Sequence, residues 1–374
     1  MAENILYPYN PDYSVHPGEY LEEILESRGI KKREAADRLS ISVKTISQII
    51  NKKAYITPDL AIQFERVLGV SANIWNNMNS NYRLYEARLN ETERLEKDVS
   101  WIDQFPIKDM KERKFLPDTG NKETLFEALL SFFGVSSPTA WDKYYKKLLA
   151  SVCCKKSGAY EDNLPHLASW IREGEIKAQT IATGVYSGKV FREKLDKIRK
   201  LTIEPVESFE LKLVNLCAEA GVAVVFVPEC EKTHIWGITR WINSKKALII
   251  LSLRYKTNDH FWFSFFHEAG HILLDGKKLT FVENNRKKDG EKVKIPKEEQ
   301  RANEFAGSIL IPEDEYKIFI AARNFSTYSI ERFAKKISIH MGIIVGRLEH
   351  DGVIRYGRYQ YCKEKFKFIE SNQK

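Results

Sequence analysis

The chain has 374 residues, 43% of them apolar, and a formal net charge of +8, so it is long enough to form two or three hydrophobic cores. No stretch is as long as an uncharged transmembrane helix, residues 1–4 lack the basic start of a signal peptide, and the five cysteines include no Cys-x-x-Cys pair. We therefore expect a cytoplasmic multidomain protein with no membrane partner, no disulfide framework and no cysteine zinc site.

Residues 1–88 are predicted to form an all-α domain. Within them, residues 31–51 have helix-turn-helix spacing, with a turn near Ser40 and Ile41 and a second helix capped by Ser42. The predicted inward positions are Ala35, Leu39, Val43, Ile46 and Ile50. Residues 28–53 hold eight Lys or Arg against two acidic residues, whereas residues 1–75 hold nine against ten, so the basic charge is concentrated at the motif.

The outward positions of this motif carry residue types that contact DNA. Glutamine can bind adenine through two hydrogen bonds, serine and threonine contact bases or phosphates, and lysine neutralises phosphates. The predicted DNA-contacting residues are Lys31, Lys32, Ser42, Lys44, Thr45, Ser47, Gln48 and Asn51.

Further segments of this domain resemble the HigA-type branch of the Cro/repressor (XRE) helix-turn-helix superfamily. They are His16-Pro17-Gly18-Glu19-Tyr20-Leu21, Ile56-Thr57-Pro58-Asp59-Leu60-Ala61, and Trp75 followed by Asn81-Tyr82. The resemblance implies binding to palindromic double-stranded operator DNA as a homodimer.

A helical middle region is predicted for residues 89–201, as a linker or sensor-like module. Apolar residues recur there at helical spacing among charges. After it, the pattern changes to short apolar runs that predict strands, at Val222 to Val227, Gly237 to Ile242 and Ala247 to Leu253.

The strands are followed by His267-Glu268-Ala269-Gly270-His271 inside an apolar segment that predicts a buried helix. Residues four apart on a helix lie about 40° apart around its axis, so His267 and His271 can bind one metal ion. Zinc held by two imidazoles and one carboxylate keeps a position open for water, and Glu268 is the candidate general base.

A third ligand is expected from the next helix, which Pro312 ends. Helical periodicity excludes Glu304, which falls opposite the apolar face, but it leaves Glu298 and Glu299 equally placed on the two flanks of that face.

This part of the chain, roughly residues 205–355, resembles the ImmA/IrrE family of zinc metallopeptidases. The resemblance rests on the strand-like segment from Lys246 to Leu253, Phe261-Trp262-Phe263, the His-Glu-Ala-Gly-His motif, and Glu299-x-x-Ala302-Asn303-x-Phe305-Ala306. It implies that His267, His271 and Glu299 bind Zn²⁺, that Glu268 is catalytic and that Asn303 orients a ligand.

Residues 202–374 are accordingly predicted to form an α+β, zincin-like metallopeptidase domain. Near its end, Ile330 to Lys336 and Met341 to His350 resemble a second helix-turn-helix unit, which in relatives closes the domain, before a basic aromatic tail. His340, and with less support His234, are candidates to donate to the oxyanion of a tetrahedral intermediate.

Together these features predict a DNA-binding transcriptional regulator with zinc-dependent endopeptidase activity. Its expected substrate is a helix-turn-helix repressor, or the chain itself, and its expected role is control of stress, toxin-antitoxin or mobile-element genes. The alternative is a non-enzymatic HigA-like antitoxin or repressor that keeps the peptidase fold as a sensor or partner-binding module. Glu268 favours the enzyme, because a purely structural zinc site needs no base.

Overall fold

The computed structural model describes residues 14–149, 164–230, 233, 235–252, 257–276, 281–283 and 296–366. The chain divides into two compact units, residues 1–99 and residues 100–374, and the second contains most of the region predicted as a separate middle part. The predicted fold class is confirmed: a helical helix-turn-helix domain, a helical middle region and an α+β carboxyl-terminal part. In the described part of the chain, no helix is long and apolar enough to cross a membrane.

The first unit consists of five helices around one apolar core. They are α1 (Pro17–Ser27), α2 (Lys32–Leu39), α3 (Val43–Ile50), α4 (Pro58–Leu68) and α5 (Ala72–Asp98). Local chemistry sets their ends, because the side chains of Ser42 and Thr57 accept hydrogen bonds from backbone amides in the first turns of α3 and α4. Ser40 and Gly69 end α2 and α4 in the left-handed conformation.

The helix-turn-helix core is close to the predicted one, with one correction. Ala35, Leu39, Ile46 and Ile50 are buried as expected. Val43, which was predicted to face inward, is 42% exposed, and Ile49 is fully buried in the core instead. Val43 is the first residue of α3, so its side chain lies over no preceding helical turn and projects past the edge of the core.

The second unit begins with helices, and a sheet follows them in the chain. Its first helices are α6 (Ile107–Glu112), α7 (Lys122–Phe133), α8 (Pro138–Trp141), α9 (Leu164–Gln179), α10 (Gly188–Lys200) and α11 (Val206–Glu219). A π-helical turn over Asp142–Lys146 follows α8, and 3₁₀ turns cover Val99–Gln104 and Leu201–Ile203.

Four strands form one sheet in the order β1-β3-β2-β4. They are β1 (Val222–Phe226), β2 (Gly237–Asn243), β3 (Lys246–Leu251) and β4 (Phe281–Glu283). β1 pairs with β3 in parallel, whereas β2 is antiparallel to both β3 and β4. The first three are the strands predicted from the sequence.

The helices before the sheet are fixed directly to it. Nε1 of Trp170, on α9, donates to the carbonyl of Val227 at 3.2 Å. The Arg113 guanidinium pairs with Glu173 at 2.9 Å and donates to the carbonyl of Glu229 at 3.0 Å. Arg113, directly after α6, and helix α9 are therefore tied to the segment that follows β1.

After the sheet come the helices that carry the predicted site. They are α12 (Asn258–Leu274), α13 (Lys297–Leu310), α14 (Glu313–Ala321), α15 (Thr327–Ile337) and α16 (Met341–His350), with a final 3₁₀ turn at Gln360–Cys362. As predicted, α12 is buried nearly all round, with Trp262, Phe265 and Phe266 fully covered in the core.

The pair α15 and α16 repeats the backbone of α2 and α3. Ser338, like Ser40, is left-handed after the first helix, and the amide of Ile339 donates to the carbonyl of Ala334 at 3.2 Å, where Ile41 donates to Ala36 at 3.1 Å. The outer face of the second helix is used differently, however. α16 packs on α12, so that face contributes to the core of the unit and is not available to a DNA groove.

Candidate metal centre and nucleic-acid interface

His267 and His271 project from the same face of α12 into the interior, and each is 1% exposed. Their Nε2 atoms are 3.0 Å apart and their ring planes are nearly perpendicular, with the centroids 4.7 Å apart. Burial, and after it the nearby His267, lowers the pKa of His271 to about 4. His271 is therefore neutral above that pH, which is the form that binds a metal.

Glu299, in the first turn of α13, brings a carboxylate to the two imidazoles. Its oxygens lie 3.5 Å from Nε2 of His267 and 3.8 Å from Nε2 of His271. One ligand atom from each of the three residues falls within 4.8 Å of the others. Glu304 is exposed, as periodicity predicted, while Glu298 is half-buried but is not part of this cluster.

The three residues fit a zinc ion. Two imidazoles bound to one tetrahedral zinc at the usual bond length have nitrogen atoms about 3.3 Å apart, and the separations here are of that size. Two nitrogens and one carboxylate leave a fourth position for water or substrate, as in catalytic zinc sites.

The other ring nitrogen of each histidine is held by an oxygen. Nδ1 of His267 donates to Oδ1 of Asn303 at 2.9 Å, the orienting contact that the family resemblance implies. Nδ1 of His271 donates to Oδ2 of Asp275 at 2.7 Å, and Asp275 also pairs with Arg301. These bonds select the tautomer that leaves both Nε2 atoms for a metal.

Sequence reasoning assigned no role in the site to Asp275. Its side chain is fully buried, which is unusual for an aspartate that merely precedes a terminal glycine. The spacing contained a signal, because Asp275 follows His271 by four residues and so lies one turn further on the same face.

Glu268 is fully buried next to His267 and faces the sheet. A Cβ atom at Gly237 would lie 2.9 Å from Cγ of Glu268, so β2 can pass this close only because residue 237 has no side chain. Oγ1 of Thr239 donates to the carbonyl of Glu268 at 2.9 Å. The sheet thus fixes the position of the candidate base.

The structure does not bring His340 to this cluster. Its Nδ1 caps α16 by accepting from the amide of Gly342 at 3.1 Å, and it lies 2.6 Å from Nδ2 of Asn258. Asn258 begins α12 nine residues before His267, about 13 Å along the helix axis. His340 therefore has a capping role, and His234 lies outside the described residues.

In the first unit, the predicted DNA-contacting residues lie at the start of α2 and along α3 with its two caps. Lys31, Lys32, Ser42 and Lys44 are exposed, as is Asn51, while Thr45, Ser47 and Gln48 are half-buried. Some are also used within the domain: Ser42 and Thr45 hydroxyls are 2.8 Å apart, and Nδ2 of Asn51 donates to the carbonyl of Ser47 at 2.7 Å. Lys32 pairs with Glu22 at 2.9 Å.

Comparison with known proteins agrees with both units. A helix-turn-helix family model matches residues 21–75, and a model of the IrrE N-terminal-like domain matches residues 217–349. An uncharacterised HTH-type transcriptional regulator, YddM of Escherichia coli, is 34% identical over 71 residues, which are 19% of this chain and 76% of that protein. The chain belongs to the helix-turn-helix family of transcriptional regulators.

This regulator is also similar to virulence-associated protein I of Dichelobacter nodosus, at 36% identity over 19% of the chain and 67% of that protein. Among solved structures, a putative antidote protein of a plasmid maintenance system from Nostoc punctiforme is 32% identical, covering 22% of this chain and 92% of its own, with a TM-score of 0.22. The antitoxin HigA of Pseudomonas aeruginosa, solved with the higBA promoter, is 31% identical, covering 23% and 94%, with a TM-score of 0.22.

Both families recognised in the sequence, helix-turn-helix and ImmA/IrrE, are confirmed. The protein is a DNA-binding helix-turn-helix regulator fused to an IrrE-like domain of the peptidase family.

Proposed function

We propose that the regulator is a zinc-dependent endopeptidase that also binds operator DNA. The observation that carries the proposal is the convergence of His267, His271 and Glu299 in a buried cluster, with Glu268 on the same helix. A site built only for structure has no use for a buried carboxylate held beside the ligands.

His267, His271 and Glu299 would hold the metal ion. When bound, zinc polarises a carbonyl oxygen and lowers the pKa of water. Glu268 would take a proton from the attacking water onto a carboxylate oxygen and then give it to the nitrogen of the leaving amine. Burial of Glu268 strengthens these interactions, since water does not screen them.

We propose that the substrate is a protein, either a separate helix-turn-helix repressor or another copy of this chain. The support is the presence of a repressor-type domain on the same polypeptide. Cleavage would release control over the repressed genes, in stress, toxin-antitoxin or mobile-element systems.

Purified full-length protein incubated with zinc and candidate repressors, with the chain itself as one of them, tests the activity. We expect discrete cleavage products from the wild type and none from Glu268→Gln, whose side chain keeps the shape but cannot accept the proton. Glu210→Gln, at an exposed glutamate on α11 outside the cavity wall, is the control and should cleave like the wild type. Equal cleavage by Glu268→Gln would refute the mechanism.

We further propose that α3 binds the major groove of double-stranded operator DNA and that the protein binds as a homodimer. Lys44 is exposed on this helix, and Gln48 lies one turn further on the same face. Gln48→Ala should weaken binding to operator more than to random DNA. Lys44→Ala should weaken both and reduce the salt slope by about one. If the wild-type protein bound all DNA sequences with equal affinity, specific recognition of an operator would be contradicted.

A further inference from the structure

A cavity of about 1060 Å³ lies next to the candidate metal centre. Asn303, whose Oδ1 accepts from His267, is part of its wall. Further parts of the wall come from Trp236, Asp259, His260 and Phe263. A cavity of this volume accommodates several residues of a peptide.

Asp259 belongs to a buried charge cluster with Lys363 and Glu349. Nζ of Lys363 lies 2.7 Å from Oδ2 of Asp259 and 2.7 Å from Oε2 of Glu349, and all three side chains are at most 7% exposed. Two carboxylates share one ammonium group, so the cluster has an excess of one negative charge.

The two carboxylates differ in how well they are satisfied. Oε1 of Glu349 accepts from the amide of Gly357 at 2.9 Å. Oδ1 of Asp259 is buried and has no hydrogen-bond partner within the part of the chain that the structure describes. Buried acceptors are almost always partnered, so this oxygen requires an explanation.

The arginines in the wall do not supply the missing charge. Arg301 pairs with Asp275, and Nε of Arg347 lies 2.7 Å from Oδ2 of Asp351. Both are therefore already compensated, and the carboxylate of Asp259 remains as an anionic acceptor in the cavity wall.

We infer that this cavity binds a basic side chain, arginine or lysine, of the protein substrate, with the carboxylate of Asp259 in its wall as the anionic partner; the inference rests on the proposed peptidase function. A cationic group beside this carboxylate would neutralise the excess charge of the cluster. The rings of Trp236 and Phe263 in the same wall suit a guanidinium group, which stacks on aromatic faces.

The helix sets where this basic residue lies relative to the bond that is cleaved. Asp259 precedes His267 by eight residues on α12, which is about 12 Å along the axis. An extended peptide advances about 3.3 Å per residue, and a basic side chain covers part of the distance itself. The basic residue therefore lies about two to four positions from the scissile bond.

Binding of short blocked alanine peptides that contain one arginine, or one citrulline in its place, tests the inference. Citrulline keeps the shape of arginine but carries no charge. The full-length Glu268→Gln protein is used after treatment with chelator, so that binding is measured by calorimetry without cleavage or metal. We expect the arginine peptide to bind roughly 10- to 100-fold more tightly, the range of a charge-assisted hydrogen bond.

Adding Asp259→Asn to this protein should remove most of that preference, whereas adding Asp314→Asn should keep it. Asp314 is the control, because it is the second residue of its helix, as Asp259 is of α12. Unlike Asp259, it is exposed. If Asp259→Asn fails to fold, Trp236→Leu changes the wall without touching the charge cluster and should weaken arginine binding.

Equal binding of arginine and citrulline peptides to the Glu268→Gln protein would overturn the inference. A preference for arginine that survives Asp259→Asn in folded protein would overturn it as well. If Asp259→Asn does not fold, arginine binding that Trp236→Leu leaves unchanged has the same consequence. The proposed function fails separately. If no repressor is cleaved but arginine binding depends on Asp259, the cavity assignment stands and the peptidase proposal falls.

Discussion

At the scale of single residues, the metal centre depends on how its ligands are held. Each histidine is fixed through Nδ1, by an amide oxygen for His267 and by a buried carboxylate for His271. An oxygen partner restricts the rotation of an imidazole ligand and a carboxylate partner also raises its basicity, so both contacts favour metal binding. The third ligand comes from another helix, and its identity is open to a direct test.

Glu299→Gln should lower zinc affinity by more than about tenfold, because it removes a carboxylate that lies within 3.8 Å of both imidazoles. Glu298→Gln, one residue earlier, is the matched control and should change the affinity less than about twofold. Competition with a chromogenic chelator measures both. An equal loss in the two variants would reject the ligand assignment.

Asp275→Asn should lower zinc affinity by roughly 10- to 100-fold while the protein stays folded. The amide can still accept from His271, but it no longer carries the charge that strengthens this ligand or the ion pair with Arg301. The same chelator competition applies, with the exposed Asp314→Asn as control. Unchanged affinity would mean that Asp275 only ends the helix.

At the scale of secondary-structure elements, the same helix-pair backbone occurs twice, and the outer face of the second helix has different surroundings in the two pairs. In α2 and α3 the second helix exposes Lys44, whereas in α15 and α16 the corresponding residue, Gly342, is buried. A Cβ atom at Gly342 would lie 2.6 Å from Oδ1 of Asn258, so a small residue permits α16 to rest on α12. Equal backbones therefore do not imply equal functions, since the outer side chains decide what each pair can contact.

A second close approach joins α1 and α3. A Cβ atom at Gly18 would lie 2.0 Å from the carbonyl oxygen of Ile49, so Gly18→Ala must push the helices apart. Overpacking of this kind costs about 1–3 kcal/mol, and it would displace α3 from its position for DNA. We expect faster hydrogen exchange in residues 17–50 and weaker operator binding.

Gly120→Ala is the control for this prediction, because a Cβ atom there meets no other atom within 4 Å. Its hydrogen exchange and DNA binding should match those of the wild type. If Gly18→Ala behaves like this control, the packing between α1 and α3 is looser than the structure indicates.

At the scale of the whole molecule, the two proposed activities lie in different compact units. All predicted DNA-contacting residues are in residues 1–99, and the candidate ligands are in residues 100–374. Metal removal with a chelator should therefore abolish cleavage and leave operator affinity within about twofold, since phosphate and base contacts need no metal. Titration of operator DNA with treated and zinc-restored protein measures this. Loss of DNA binding that zinc restores would instead show that the metal site controls the first unit.

The sequence by itself determined the local elements. Capping residues, turn residues and apolar periodicity act over a few residues, and they were sufficient for the helix-turn-helix pair, three of the strands and the helix that carries His267 and His271. Periodicity failed at Val43, because burial at a helix end depends on what lies beyond that end.

The tertiary structure decided what depends on residues distant in the chain. Glu298 and Glu299 are equivalent on a helical wheel, and only the packing of α13 on α12 brings one of them to the imidazoles. The same holds for Gly237 against Glu268 and for the unsatisfied oxygen of Asp259. Local patterns fix which face of an element is apolar, but the identity of the neighbour on that face is set by packing across the whole unit.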